Sequence, residues 1–280
     1  MAHCAHIPAF VLHQVTCQFA TGQTLFGPLS VSLEPSLCGL VGRNGVGKTR
    51  LLRLLAGLDS PAGGHIERAA AVAWVAQQPT LTPETTLATL LGYASVFAAL
   101  SRLEQGQGLA DDFDLLDGHW DLTDRLSLAF READLPPFSA DRPAFSLSGG
   151  ERMKALLCGA FVSGADYLLL DEPTTHLDRQ GREWLYHQLE SWQGGALIAS
   201  HDRELLTRMP RIIELTPTAL RSYGGNYAEY QRQRMAEQQA ARAALEHAVT
   251  DRRRTRARMH KEHDAAQRRS AQTLRTVDTL

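Results

Sequence analysis

Residues 42–49 read Gly-Arg-Asn-Gly-Val-Gly-Lys-Thr, the pattern G-x-x-x-x-G-K-[ST]. Glycines at this spacing let the backbone curl so that successive N–H groups face phosphate oxygens. A helix beginning directly afterwards adds its partial positive charge. Gly42, Arg43, Asn44, Gly45, Val46 and Gly47 form the loop. Lys48 brings a full charge to β- and γ-phosphates, and the Thr49 hydroxyl is a Mg²⁺ ligand.

A second constellation lies in LLLDEP, residues 168–173, where Asp171 and Glu172 end an apolar run. One carboxylate can hold Mg²⁺ through water, and the next can orient and deprotonate an attacking water. A paired acid after a strand also serves as a helix N-cap, but the glycine loop upstream favours the metal-and-water reading. Ser146-Leu147-Ser148-Gly149-Gly150-Glu151 opens a helix and offers a second phosphate nest from Ser148, Gly149 and Gly150. Taken alone, it reads equally well as a serine N-cap with a capping-box glutamate. One nucleotide does not need two nests from one chain, so the second suits a nucleotide held by a different domain of the same kind.

Three further side chains are candidates. His201, in ALIASHD, follows a strand and could bond a γ-phosphate, although a histidine there is often structural. Gln77, with Gln78 as its rival, follows a strand in WVAQQP and could touch Mg²⁺ and the water. Phe19 could stack on adenine or be an ordinary sheet aromatic.

These groups need strands that end in loops and helices that begin there. Residues 11–33 suggest two or three short strands joined at Thr21-Gly22 and Gly27-Pro28. LCGLVG leads into the glycine loop, and a helix follows with Leu51, Leu52, Leu54 and Leu55 inward and a stop near Gly57. Residues 65–76 read as further strand. Residues 82–145 read as mostly helical and polar, and a helix runs from Gly149 through Phe161. YLLL (167–170) and ALIAS (196–200) are buried strands flanking a helix over 179–192. The alternation predicts an α/β fold with its polar groups at the carboxyl ends of strands, where ligands bind open sheets.

The 280 residues suffice for one large domain plus an appendage. Net charge is −2, yet residues 231–280 hold 12 Lys+Arg against 6 Asp+Glu, so an acidic body carries a basic tail. That tail is rich in Ala, Gln, Glu and Arg and predicts an exposed helix, too sparse in apolar residues for a sustained heptad. Cys4, Cys17, Cys38 and Cys158 have no metal-ligand spacing and suit reduced thiols in the cytoplasm. The N-terminus lacks the pattern of a signal peptide. No run approaches the roughly 18–20 apolar residues that cross a bilayer, so a role at a membrane would be that of a peripheral subunit.

The glycine loop, glutamine after a strand, SGGE, strand-DE, HLD and strand-SHD, in this order, resemble the ATP-binding-cassette superfamily over residues 8–225. The resemblance implies a P-loop NTPase domain with a mixed β-sheet core, an antiparallel β subdomain and a helical signature subdomain at about 80–160. It implies ATP and Mg²⁺ as cofactors, with ATP held between the P-loop of one cassette and the signature of another. By the same resemblance Glu172 is the general base, His201 the γ-phosphate switch, Gln77 the coupling glutamine, Asp171 a metal ligand and Asp178 an inter-cassette contact.

EPTTHLD (172–178), SHDR (200–203) and YGGNYAEY (223–230) look most like the first cassette of an ABC-F protein, the group without transmembrane domains. Thr175 departs from the asparagine usual there. The expected division is a cassette over 1–225 and a basic helical linker over 226–280, cut short before a second cassette. A tandem fragment is the favoured expectation, with a homodimer as the alternative. The resemblance implies a ribosome, rRNA or tRNA partner through the basic arm, with translation or antibiotic protection as the role. A transporter ATPase, docking a membrane partner on residues 80–145, is the alternative. DNA-repair ATPases share SGGE and strand-DE, but usually carry coiled coils or zinc modules inside the cassette.

Overall fold

The computed structural model describes residues 7–19 and 21–277. Cys4 and the start of the chain lie outside them. The chain forms two compact units, Met1–Ala228 and Glu229–Leu280.

In the first unit, β1 (Phe10–Gln18) and β2 (Thr24–Leu33) form a hairpin. Gly27-Pro28 lies inside β2 as a cis peptide and does not divide it. The expected turn there is therefore absent. A Cβ on Gly27 would sit 2.5 Å from the Val15 carbonyl oxygen, so this glycine serves the close approach of two strands.

β3 (Leu37–Val41) ends at the glycine loop, and α1 (Lys48–Leu55) follows. Residues 65–76 are not one strand. They belong to β4 (Gly63–Arg68), paired with β1, and β5 (Val72–Val75), paired with β6 (Tyr167–Asp171). The chain crosses between two sheets over Ala69–Ala71, which carry no turn-forming residue that would announce it.

The helical region comprises α2 (Leu87–Leu90), α3 (Ala94–Glu104), α4 (Ala110–Leu116), α5 (Leu122–Glu132) and α6 (Gly149–Phe161). Its own core includes Leu87, Val96, Leu116, Leu122, Leu126, Phe130 and Cys158. Past β6 come α7 (Arg179–Ser191), β7 (Gly195–Ala199), α8 (Arg203–Thr207), β8 (Arg211–Leu215) and β9 (Leu220–Gly224).

One sheet is antiparallel, ordered β2-β1-β4. The other is mixed, ordered β5-β6-β7-β3-β8-β9, parallel except for β9. The main core contains Phe10, Leu12 and Phe26 from the small sheet, Leu40, Leu169 and Leu197 from the large one, and four leucines of α1. Leu51, Leu52, Leu54 and Leu55 are each at most 1% exposed. Burying each side chain contributes about 1.5–3 kcal/mol, which fixes the helix whose first turn faces the site.

In the second unit, α9 (Tyr227–Val277) begins just before the boundary and contains neither Gly nor Pro. Met235, Leu245 and Met259 on it are more than half exposed. Arg232–Glu229 and Arg234–Glu237 pair at i,i+3 spacing, a modest support for a solvated helix. No helix among the described residues is long and apolar enough to cross a membrane.

Candidate active site

Three neighbouring strands, β6, β7 and β3, bring their carboxyl ends together. The glycine loop leaves β3, Asp171 ends β6 with Glu172 next in the chain, and His201 lies just past β7. The parallel register aligns Leu40 of β3 with Ala199 of β7, and Ala199 with Asp171 of β6. Residues from positions 42 to 201 therefore meet without a long loop.

The loop geometry depends on glycine. Gly45 and Gly47 have φ of 79° and 104°, left-handed values costly for other residues. A Cβ on Gly47 would also lie 2.8 Å from Leu25 Cδ2 and 2.9 Å from the Phe26 ring. Gly47 is the N-cap of α1, so no side chain caps this helix, and its first turn contains no acidic residue. Its leading N–H groups keep their affinity for an external anion.

Lys48 Nζ donates to the Gly42 carbonyl at 3.2 Å and lies 3.3 Å from His201 Nε2. Burial pushes the Lys48 pKa down, opposed by Glu172 and Asp171. The Thr49 hydroxyl donates to Asp171 Oδ2 at 2.7 Å. Asp171 is 3% exposed, and burial lifts its pKa against the opposing effects of Thr49 and Lys48. Glu172 adopts φ 49°, a strained value for a non-glycine residue at a strand tip. Its Oε2 accepts from the His201 backbone N–H at 3.2 Å, and its Oε1 lies 3.5 Å from His201 Nε2. Burial raises the Glu172 pKa, while His201 opposes the rise.

Lys48, Thr49, Asp171, Glu172 and His201 line one open cleft of about 600 Å³ with Asn44, Gly45, Gly47, Gln77 and Phe19. That volume lies within the range of small-ligand sites, about 300–1,000 Å³. Phe19 is 47% exposed, leaving ring surface available to a base. Arg50, Leu25 and Thr175 also line the cleft and were not assigned from the sequence. Arg50 directly follows the Lys-Thr pair, and that adjacency was the available signal. Gly42 and Arg43 lie outside the lining, and Val46 is buried. Their part in the loop is backbone: the Arg43 carbonyl accepts from Val46 N–H at 3.2 Å.

The residues fit a magnesium nucleotide. Uncapped helix N–H groups and Lys48 suit phosphate oxygens. The Thr49 hydroxyl beside the Asp171 carboxylate is a hard oxygen pair of the kind Mg²⁺ takes.

Ser148, Gly149 and Gly150 do not line this cleft. Ser148 caps α6: its Oγ accepts from Glu151 N–H at 3.2 Å, and its own N–H donates to Glu151 Oε2 at 2.8 Å. These bonds hold the Glu151 carboxyl below its usual pKa. The helix start packs on His176, whose φ is 67°. A Cβ on Gly149 would sit 3.4 Å from the His176 ring, and one on Gly150 2.7 Å from the His176 carbonyl oxygen. Gly149 and His176 share a second depression, of about 240 Å³, with Gln77 and Gln78. Gln77 lines both hollows and Gln78 only this one. Asp178 caps α7 by accepting from Gly181 N–H at 2.8 Å.

The family model described as ABC transporter matches residues 27–175. The chain is 33% identical to the energy-dependent translational throttle protein EttA of Mycobacterium tuberculosis H37Rv, over 88% of this chain and 46% of that protein. It is 34% identical to the probable ATP-binding protein YheS of Escherichia coli K12, over 72% of this chain and 34% of that one. The chain thus spans less than half the length of these curated relatives. The solved ATP binding subunit of an ABC transporter superposes with a TM-score of 0.61 at 20% identity, covering 80% of this chain and 92% of that subunit, a likeness of fold. With its P-loop, strand-tip carboxylates and mixed sheet, the chain belongs to the ATP-binding-cassette family and carries that family's ATP-hydrolysing P-loop NTPase domain.

Proposed function

We propose that this chain is one cassette of an ABC-F-type protein that couples Mg-ATP hydrolysis to work on the ribosome in the cytoplasm. The observation that carries the chemistry is the convergence of Lys48, Thr49, Asp171, Glu172 and His201 in one cleft. The α1 N-terminus and Lys48 bind the phosphates, and Phe19 stacks on the adenine. Thr49, Asp171 and Gln77 hold Mg²⁺, which when bound neutralises phosphate charge. Glu172 accepts a proton from the attacking water at its carboxylate, and ATP and water become ADP and phosphate. His201 orients Glu172 and bonds the γ-phosphate.

The signature offers Ser148, Gly149 and Gly150 to the nucleotide of a second cassette, in tandem or in a homodimer, with Asp178 at the contact. The translation role is supported by the likeness to a translational throttle protein and by the 12 cationic residues over 231–280. A basic helix can follow RNA phosphates, with strong salt dependence. We place the cassette at 1–225 and the arm at 226–280, and antibiotic protection is one form the role could take.

The test is ribosome co-sedimentation of Glu172→Gln, with ATP or ADP, over a salt series. ATP-dependent, salt-sensitive pelleting supports the reading. No pelleting, either alone or after fusion of a second cassette, overturns it and favours a transporter subunit.

A further inference from the structure

The antiparallel sheet carries a cluster of side chains that the nucleotide cleft does not use. β1 and β4 pair with His13 directly opposite His65, so both imidazoles leave the same face. Glu67 lies two residues beyond His65 on β4 and shares that face. The register shifts just after His13, where Gln14 has φ 52°. A Cβ on Gly64 would lie 2.2 Å from the His13 carbonyl oxygen, so the two strands approach closely here.

The approach stacks the His13 and His65 rings, with centroids 4.5 Å apart and planes 14° apart. Nε2 of His13 is 3.2 Å from Glu67 Oε1, and Nε2 of His65 is 3.7 Å from the same oxygen. The ligand atoms of all three side chains lie within 4.8 Å of one another. His13 Nε2 is shielded from solvent yet makes no hydrogen bond, because its contact with Glu67 is not directed as one.

We propose that His13, His65 and Glu67 form a site for a zinc-class divalent cation that clips β1 to β4. Two imidazoles and one carboxylate are a zinc donor set that leaves a coordination position open. Ligand bonds of about 2.0–2.2 Å around a tetrahedral ion separate the ligand atoms by about 3.3–3.6 Å. The two spacings to Glu67, 3.2 and 3.7 Å, bracket that value. The stacked rings must part for both to ligate one ion, and the His65 side chain, 67% exposed, has room to turn. Imidazole donors favour zinc over magnesium, so the Mg²⁺ that serves ATP does not compete here. A cation bound only by the folded sheet stabilises it by mass action. The clip lies on the strand that leads to Phe19 at the nucleotide cleft.

The full chain, purified without a polyhistidine tag and stripped with a chelator, is titrated calorimetrically with zinc chloride and separately with magnesium chloride. Thermal melts with each ion accompany the titrations. The expected result is one equivalent of zinc bound with a raised Tm, and no such effect from magnesium. His65→Gln and Glu67→Gln are exposed substitutions and leave the fold intact by circular dichroism. Each weakens zinc binding by at least about 100-fold, because losing a direct ligand exceeds the 10–100-fold cost of losing an outer-shell partner. A chain with His3, Cys4 and His6 replaced by Ser keeps the equivalent. Undiminished zinc binding in both single variants, loss of the equivalent in the N-terminal variant, or no zinc-dependent rise in Tm overturns the site and leaves a polar cross-strand cluster.

Discussion

Thr49 and Asp171, 122 positions apart, meet through a 2.7 Å hydrogen bond from Oγ1 to Oδ2. The bond joins the first turn of α1 to the tip of β6, and a shared Mg²⁺ would be held by the same two groups. Thr49→Val is expected to raise the Mg²⁺ needed for half-maximal ATPase by at least about tenfold, while Thr49→Ser keeps it near the parent value. Nucleotide binding in EDTA should be unchanged in both. Mg²⁺ titrations of steady-state ATPase check this, and an unaltered Mg²⁺ requirement in Thr49→Val would remove the hydroxyl from the metal site.

Glu172 is held by His201 through the backbone N–H at 3.2 Å and faces the ring at 3.5 Å. Glu172→Gln keeps the shape and removes the proposed base. Its kcat should fall by about 10²–10⁴-fold with ATP affinity retained. Single-turnover kinetics beside equilibrium nucleotide binding separates the two effects. Hydrolysis at the parent rate would assign the base elsewhere.

Phe19 is half-exposed at the rim of the cleft. If it stacks on adenine, Phe19→Ala should weaken ATP binding by about 1–3 kcal/mol, and Phe19→Tyr should restore it. Inorganic triphosphate, which has no base, should bind both variants equally. Equal losses for ATP and triphosphate would mean that the ring supports the loop and not the base.

Gly149 and Gly150 differ in what a methyl group would strike. At Gly150 it meets the rigid His176 carbonyl oxygen at 2.7 Å, and at Gly149 the His176 ring at 3.4 Å. Gly150→Ala should abolish ATP-driven assembly of cassettes while the single chain still binds ATP, and Gly149→Ala should be milder. Sedimentation velocity of each variant in the Glu172→Gln background, with ATP, gives the comparison. Full assembly by Gly150→Ala would exclude the signature from the contact.

Burial pushes the Cys158 thiol up to about 12 and raises Cys17 and Cys38 as well. Thiolate is the reactive form, so at about pH 8 the native chain should leave these three cysteines unlabelled by a disulfide reagent. Labelling should appear on denaturation. Rapid modification of Cys38 in the native state would contradict the packing of β3.

What could be read in the chain follows how locally each feature is encoded. The glycine loop, the strand-tip acids and SGGE are contiguous, and the leucine spacing of α1 announces its buried face. The crossing at Ala69–Ala71 was invisible because three alanines mark neither a turn nor a change of sheet. Gly27-Pro28 read as a turn because that pair usually is one, yet here the glycine permits a close strand crossing. β8 went unread although Arg-Ile-Ile-Glu-Leu follows Pro210, a short apolar run of the kind that marks a buried strand. The pairing of His13 with His65 depends on register between distant segments, which no local pattern encodes. Arg50 and Thr175 at the cleft were likewise settled by folding.

The reciprocal bonds between Ser148 and Glu151 bear on charge at the signature. An ionised carboxylate already sits at the leading end of α6, as a resident anion. In the proposed assembly, a phosphate brought by the second cassette would meet this negative charge beside the Ser148 N–H, so the like charges oppose each other.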